Sequence, residues 1–230
     1  MSGDRAARMV IAIDGPAASG KSSTAQWVAE RLGYLHVDSG SLYRALTAAL
    51  LRHGGHPERW SPAYMMSEGP RVGLRAAETS FIALIDGVSA EEEIRGGVVT
   101  EHVSHVARVP EVRAWVNAQV RAASEQHDIV ADGRDMGTAV FPDAPLKIFL
   151  VADPWERARR RLIQRLSRRP TDDEIAEETD LIVQRDAKDA TQTVQAKDAV
   201  LLDTTYLTQA EQVERIVALA HAVSQRPRVT

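Results

Sequence analysis

The chain has 230 residues, 44% of them hydrophobic and 26% charged, with no Cys and a net charge of −4. That balance excludes a wholly disordered chain, a disulfide framework or Cys-ligated zinc, and it argues against a general binder of nucleic acid. Of the 28 basic residues 24 are Arg, whose planar fork of donors suits phosphate groups, so small anionic ligands stay open. Met1–Arg8 is short and polar, reads as a flexible tail and lacks the apolar stretch of a signal peptide. No apolar run approaches the roughly 18 residues a membrane span needs. A soluble cytoplasmic protein without membrane contact is the expectation.

The elements follow in order. Met9–Asp14 is a β-branched apolar run closed by a turn cluster, as in a buried parallel strand. Lys21–Leu32 has Ala25, Val28, Ala29 and Leu32 at helical spacing, with Gly33 as stop signal. Tyr34–Val37 predicts a second strand and Ser41–Arg52 a second helix ending at Gly54-Gly55. Strand, helix, strand, helix predicts a parallel sheet with crossover helices. Pro57–Val72 has no clean period. Phe81–Leu84 reads as a short strand before a turn at Asp86-Gly87, and Glu91–Arg95, Val98–Ala107 and Glu111–Ser124 read as helical.

The alternating pattern returns with strands at Asp128–Ala131 and Leu146–Val151. Trp155–Arg169 is an Arg-rich helix, and Thr171-Asp172-Asp173-Glu174 is a capping box opening the next one. A strand at Val200–Leu202 and an amphipathic helix at Glu211–Val223 complete the chain. The expected division is a core of residues 9–54 and 109–230, with a helical lid near 155–195, interrupted by an insertion at 55–108.

Gly15-Pro16-Ala17-Ala18-Ser19-Gly20-Lys21-Ser22 matches G-x-x-x-x-G-K-[ST] between a strand and a helix. Glycines let such a loop wrap closely, so that successive backbone N–H groups face phosphate oxygens at the positive end of the helix dipole. Lys21 is placed to reach the β- and γ-phosphates of a nucleoside triphosphate, and the Ser22 hydroxyl to ligate Mg²⁺, with Ser23 beside it. Motors, GTPases and kinases all use this loop. A guanine-reading N-K-x-D segment is missing, and the insertion and Arg-rich helical pair suit a kinase that needs a second substrate site and a closing lid.

Further segments carry a resemblance that spans Val10 to about Leu219. They are Asp38-Ser39-Gly40 with Tyr43-Arg44, Glu93-Ile94-Arg95, Ser104 with Pro110-Glu111-Val112-Arg113, and Ala131-Asp132-Gly133-Arg134-Asp135-Met136-Gly137-Thr138. Val140-Phe141-Pro142-Asp143-Ala144, Arg185-Asp186 with Asp189, and Leu202-Asp203-Thr204-Thr205 extend them. On these residues the chain resembles the bacterial-type cytidylate (CMP/dCMP) kinases, within the P-loop nucleoside monophosphate kinases. The resemblance implies an α/β three-layer fold with a five-stranded parallel sheet, a monophosphate-binding insertion and a mobile lid. It implies ATP and Mg²⁺ as donor and cofactor, and CMP and dCMP as acceptors.

The implied roles have physical reasons. Cytosine presents an amino donor beside two acceptors, so its reader needs an acceptor, Asp135, and donors, Arg113 and Ser104. Uracil would set a carbonyl against that carboxylate. Arg44, Arg134 and the Ser39 hydroxyl are implied at the acceptor phosphate, and Arg185 and Asp189, four apart on one helix face, near the pentose. Charge on the transferred group is assigned to lid arginines among Arg157, Arg160 and Arg161. Asp38 or Asp132, both expected at strand ends, could hold Mg²⁺ through water, and Asp132 could also orient Arg134 or belong to the CMP site. A monomer is the default for a chain that closes by hinge motion.

One position departs. The family pattern Arg-Asp-x-x-Asp-x-x-Arg becomes Arg185-Asp186-Ala187-Lys188-Asp189-Ala190-Thr191-Gln192. In the family the last Arg helps to hold the monophosphate or its sugar, and a lost charge-assisted bond costs about 1.5–3 kcal/mol. Lys188 and Lys197 are the nearby cations that could compensate. Two other readings stay open on the residues: another small-molecule kinase, for adenylate, uridylate or shikimate, and a nucleotide-binding regulator without turnover.

Overall fold

The computed structural model describes residues 8–225. Of the expected N-terminal tail, residues 1–7 lie outside the described residues. Five strands form a parallel sheet in the order β2-β6-β1-β7-β8: β1 (Val10–Asp14), β2 (Leu35–Asp38), β6 (Ile129–Asp132), β7 (Leu146–Val151) and β8 (Val200–Asp203). This is the α/β architecture expected from the strand–helix alternation. Successive residues of a strand face opposite sides. In β1, Val10 and Ala12 enter one apolar cluster and Ile11 and Ile13 the other. Both faces are therefore covered, which is why these strands read as continuous apolar runs.

One face is covered by α1 (Lys21–Leu32) and α9 (Gln209–Ser224), through Ala25, Val28, Val213 and Ile216. The other is covered by α2 (Ser39–His53) and α6 (Pro110–Ser124), through Leu42, Leu46, Val112 and Val116. Burying each Leu or Val of this kind contributes about 1.5–3 kcal/mol. The segment between α2 and α6 holds α3 (Pro62–Ser67), an antiparallel sheet of β3 (Val72–Ala76), β4 (Phe81–Ile85) and β5 (Val88–Ser89), then α4 (Glu91–Ile94) and α5 (Gly97–Val106). Trp60, Met65, Ile85 and Val103 of this segment join the same apolar cluster as α2 and α6.

The stretch without a clean period, Pro57–Val72, resolves into α3, capped by the Ser61 hydroxyl at Tyr64 N, between 3-10 turns at Pro57–Arg59 and Gly69–Arg71, and β3 begins at its last residue. The β3 sequence Val-Gly-Leu-Arg-Ala carries little strand signal, and its pairing with β4 decides the conformation. Helix α2 starts at Ser39, two residues earlier than the apolar spacing predicted. The pair α7 (Pro154–Leu166) and α8 (Asp172–Asp189) packs through a small cluster of its own: Ala158, Leu162, Ile175 and Ile182. The Thr171–Glu174 capping box is present. Among the described residues no helix is long and apolar enough to cross a membrane.

Candidate active site

Strands β1, β2, β6 and β8 each end in an Asp: Asp14, Asp38, Asp132 and Asp203. Open parallel sheets bind ligands at this edge, and here it opens into a cleft of about 1580 Å³. The loop from β1 to α1 forms one wall. Gly15 passes so close to the Leu150 backbone that a Cβ could not fit, and Gly20 begins α1 at φ 83°, a left-handed conformation that favours glycine. Among the described residues the Ala18, Ser19 and Gly20 amides find no protein acceptor, the condition expected of a cradle for an anion.

Lys21 is buried within this loop, where its Nζ donates to Pro16 O (2.7 Å) and lies 3.3 Å from Ser19 Oγ. Burial, with Arg134 nearby, pushes its pKa down to about 7. The Ser22 hydroxyl donates to Asp132 Oδ2 at 2.7 Å, and the other oxygen of Asp132 meets His36 Nε2 at 2.7 Å. Burial opposes a charge on His36, but the hydrogen bond and negative charge of Asp132 outweigh it and raise the pKa. Asp38 is raised by burial and by the Asp132 carboxylate. His36 carries no motif, so sequence reasoning passed over it.

Further cations of the cleft come from separate elements. Arg44 projects from α2 and donates to Thr100 Oγ1 (2.9 Å) and Ile94 O (3.2 Å). Arg134 follows β6, with its Nε 3.5 Å from Asp189, and Arg185 lies 3.9 Å from the same carboxylate. Burial and the neighbouring guanidinium groups of Arg134 and Arg44 push the Arg185 pKa down to about 10. Burial also lowers that of Arg44. The Nε atoms of Arg134 and Arg185 are buried without a hydrogen-bond partner among the described residues. Buried unpaired donors are costly, and here they face a cleft that already repels more positive charge. Ser39 points its hydroxyl at the Asp132 carbonyl, 2.8 Å away.

A second cluster closes the cleft. Arg113, from the first turn of α6, pairs through Nη2 with Asp135, and its guanidinium carbon lies 6.0 Å from the Tyr43 ring centroid. The Arg113 Nη1 donates to Ala107 O (3.1 Å) and to Gln192 Oε1 (3.0 Å). Ser104 is half-buried and lines the same wall. The turn after Asp135 is held by Asp14, which accepts from Met136 N (2.8 Å) and Gly137 N (2.7 Å). Burial pushes the Asp14 pKa up to about 6 despite these bonds. Lys188 and Lys197 are exposed and outside the cleft wall, so neither stands in for the family arginine at position 192.

The arginines of α7 divide. Arg160 and Arg161 line the cleft, Arg160 donating to the Thr204 and Thr205 carbonyls (2.7 and 2.8 Å) and Arg161 lying 3.1 Å from Glu178. Arg157 does not line it. Only 4% exposed, it donates to Ala152 O, Ala17 O and Asp186 Oδ2 at 3.1, 2.7 and 2.7 Å. This arrangement places Arg157 behind the phosphate loop, because its guanidinium is spent on loop and helix acceptors. Asp186 also accepts from Ala17 N at 2.8 Å. Both polar groups of the Ala17 backbone are thus tied to α7 and α8.

The next residue, Ala18, sits at φ 57°, a left-handed conformation that costs about 1–3 kcal/mol for a residue with a Cβ. Asp186→Ala and Arg157→Met therefore release a strained loop, and each is expected to raise KM for the triphosphate about tenfold. Steady-state kinetics with thermal unfolding checks this: an unchanged KM in a stably folded variant rules the bracket out.

The donor set fits a hard divalent cation, since Ser22, Asp132 and Asp38 offer oxygen atoms at one strand edge. No cluster of three His, Cys, Asp or Glu groups able to hold a metal occurs among the described residues.

Comparison with known proteins agrees with this geometry. The cytidylate kinase family model matches residues 11–222. The chain is 42% identical to a cytidylate kinase of Geobacillus kaustophilus over 219 residues, covering 93% of this chain and 97% of that one. It is 40% identical to that of Limosilactobacillus reuteri over 210 residues (90% and 92%), and 40% identical to that of Stutzerimonas stutzeri over 215 residues (91% and 93%). A phosphate loop, a shared anion cleft and a match along nearly the whole sequence lead to one assignment: the chain belongs to the cytidylate kinase family and is a nucleoside monophosphate kinase.

Proposed function

We propose that the protein transfers the γ-phosphoryl group of ATP to CMP and dCMP with Mg²⁺, giving ADP and CDP or dCDP. The observation that carries this reading is the convergence of Lys21, Arg44, Arg134 and Arg185 on one cleft, two of them with buried unpaired donors. The donor phosphates lie in the loop of Gly15–Ser23, with Lys21 turning from Pro16 O to the β- and γ-phosphates. The acceptor phosphate takes Arg44, Arg134 and the Ser39 hydroxyl, the pentose takes Arg185 and Asp189, and the base takes Asp135, Arg113 and Ser104. Residues 55–108 serve as the monophosphate-binding part, and α7–α8 as the lid that brings Arg160 and Arg161 toward the transferred group.

An oxygen of the CMP phosphate attacks the γ-phosphorus in line, and the bond from that phosphorus to the β–γ bridging oxygen breaks, leaving ADP. No general base is required, because a phosphate with a second pKa near 6 is largely a dianion at neutral pH. The arginines hold two anions within bonding reach despite their repulsion, so positioning and charge neutralisation carry the rate. Mg²⁺, held by Ser22 and through water by Asp132 or Asp38, would supply further neutralisation of the triphosphate. Lid closure excludes water, the competing acceptor.

The test is an ADP-release assay with ATP and Mg²⁺ in which CMP, dCMP, UMP and AMP are offered in parallel. Turnover of CMP and dCMP at least about 100-fold above UMP and AMP is the expected result. Equal turnover of UMP or AMP rejects the base assignment. ATP binding without transfer to any acceptor favours the regulator reading instead.

A further inference from the structure

Position 192 carries Gln where the family pattern carries Arg, and the structure shows what that side chain touches. Gln192 lies one turn beyond the end of α8, its N–H bonded to Asp189 O at 2.9 Å. It is half-buried in the cleft wall and faces Arg113, 79 residues away in sequence. A guanidinium has only donors, so the atom that meets Arg113 is the amide oxygen Oε1, at 3.0 Å. The same Nη1 donates to Ala107 O, and Nη2 to Asp135. Three of the five N–H groups are therefore engaged by protein, which holds the plane of the fork and leaves two for a ligand.

A cation could not make this contact. A second guanidinium at position 192 would stand at hydrogen-bond distance from Arg113 with no acceptor between them. The residue present is neutral and aligned with the pair that reads the base, not with the arginines of the acceptor phosphate. We propose that Gln192 is a specificity-determining positioning residue, fixing Arg113 from the end of the lid helix so that Arg113 and Asp135 present one donor–acceptor pattern to cytosine. This inference rests on the base-reading assignment of Arg113 and Asp135 made above.

The experiment compares wild type, Gln192→Leu, Gln192→Glu and Gln192→Arg with CMP and UMP as acceptors at saturating ATP, with thermal unfolding of each variant. In Gln192→Leu, KM for CMP is expected to rise and the CMP-over-UMP ratio of kcat/KM to fall, each about tenfold, with kcat changing less than KM. Gln192→Glu keeps an acceptor oxygen and is expected to hold the ratio within about threefold of wild type. Gln192→Arg adds charge to the cleft yet is expected to lose selectivity as Gln192→Leu does. Selectivity unchanged in Gln192→Leu overturns the proposal. So does a Gln192→Arg variant with a lower KM for CMP and full selectivity, which would make the position a phosphate contact. If Gln192→Leu fails to fold, the contrast between the Glu and Arg variants decides. A wild type that does not prefer CMP to UMP defeats the underlying reading, and this inference with it. A CMP-selective wild type with an indifferent position 192 defeats this inference alone.

Discussion

Lys21→Met is expected to lower kcat by about 10³-fold or more, since one preorganised charge at a developing anion is worth that much. It should do so without loss of the fold. Lys21 is 6% exposed, and burial together with Arg134 moves its pKa from 10.5 to about 7. The sign follows from proton binding. Between about pH 7 and 10.5 the unfolded chain holds a proton on this lysine that the folded chain has released, so wild-type stability rises with pH across that window. Below pH 7 both states are charged, and the folded state carries the full cost of a buried cation. The Met variant should therefore match or exceed wild-type stability at pH 6, with the gap shifting toward the wild type by pH 9. Urea unfolding at the two pH values measures it. Arriving triphosphate restores the favourable charge, so ATP binding at pH 8 should take up a proton in wild type and not in the variant. Calorimetry in two buffers of different ionisation enthalpy reads this directly. A Met variant with near-normal kcat would remove Lys21 from the mechanism.

The second large effect falls on Asp135. Asp135→Ala is expected to reduce kcat/KM for CMP by about 10³-fold, roughly 4 kcal/mol, while changing that for UMP much less. The Asp135 side chain is 11% exposed and pairs with Arg113, so under the proposed base assignment its loss removes the acceptor for the cytosine amino group and frees the donor beside it. Breaking a buried pair also costs stability, about 3 kcal/mol, so the unfolding midpoint must be followed in parallel. Asp135→Asn separates the two contributions, because it keeps the shape and a carbonyl acceptor while losing the charge. A CMP preference that survives Asp135→Ala in a folded protein would show that the base is read elsewhere.

These contacts differ in how far they could be read before folding. The phosphate loop is a local signal: eight consecutive residues between a strand and a helix define backbone geometry with little help from the rest of the chain. The helices α1, α6 and α9 and the strands of the parallel sheet were legible for the same reason, since periodicity and caps act over a few residues. Strand β3 was not legible, because Val72–Ala76 becomes extended only when Phe81–Ile85 pairs with it. The placement of Arg157 behind the phosphate loop was not legible for a similar reason. Its position in an Arg-rich helix was plain, but which of Arg157, Arg160 and Arg161 faced the cleft depended on the packing of α7 against the loop and α8.

The amino-acid sequence by itself determined the fold class, the triphosphate loop and the residue types available for reading an anionic nucleotide, because propensity, periodicity and short motifs are properties of neighbours along the chain. The tertiary structure alone decided which distant groups meet: Asp186 with Ala17, 169 residues apart, Asp132 with His36, 96 apart, and Gln192 with Arg113, 79 apart. It also decided which charges lose water, and hence that Lys21 and Arg185 give up a proton more readily than ordinary surface cations. Burial and long-range pairing follow from the sheet order, which places four strand-end aspartates and the loops beside them at one edge.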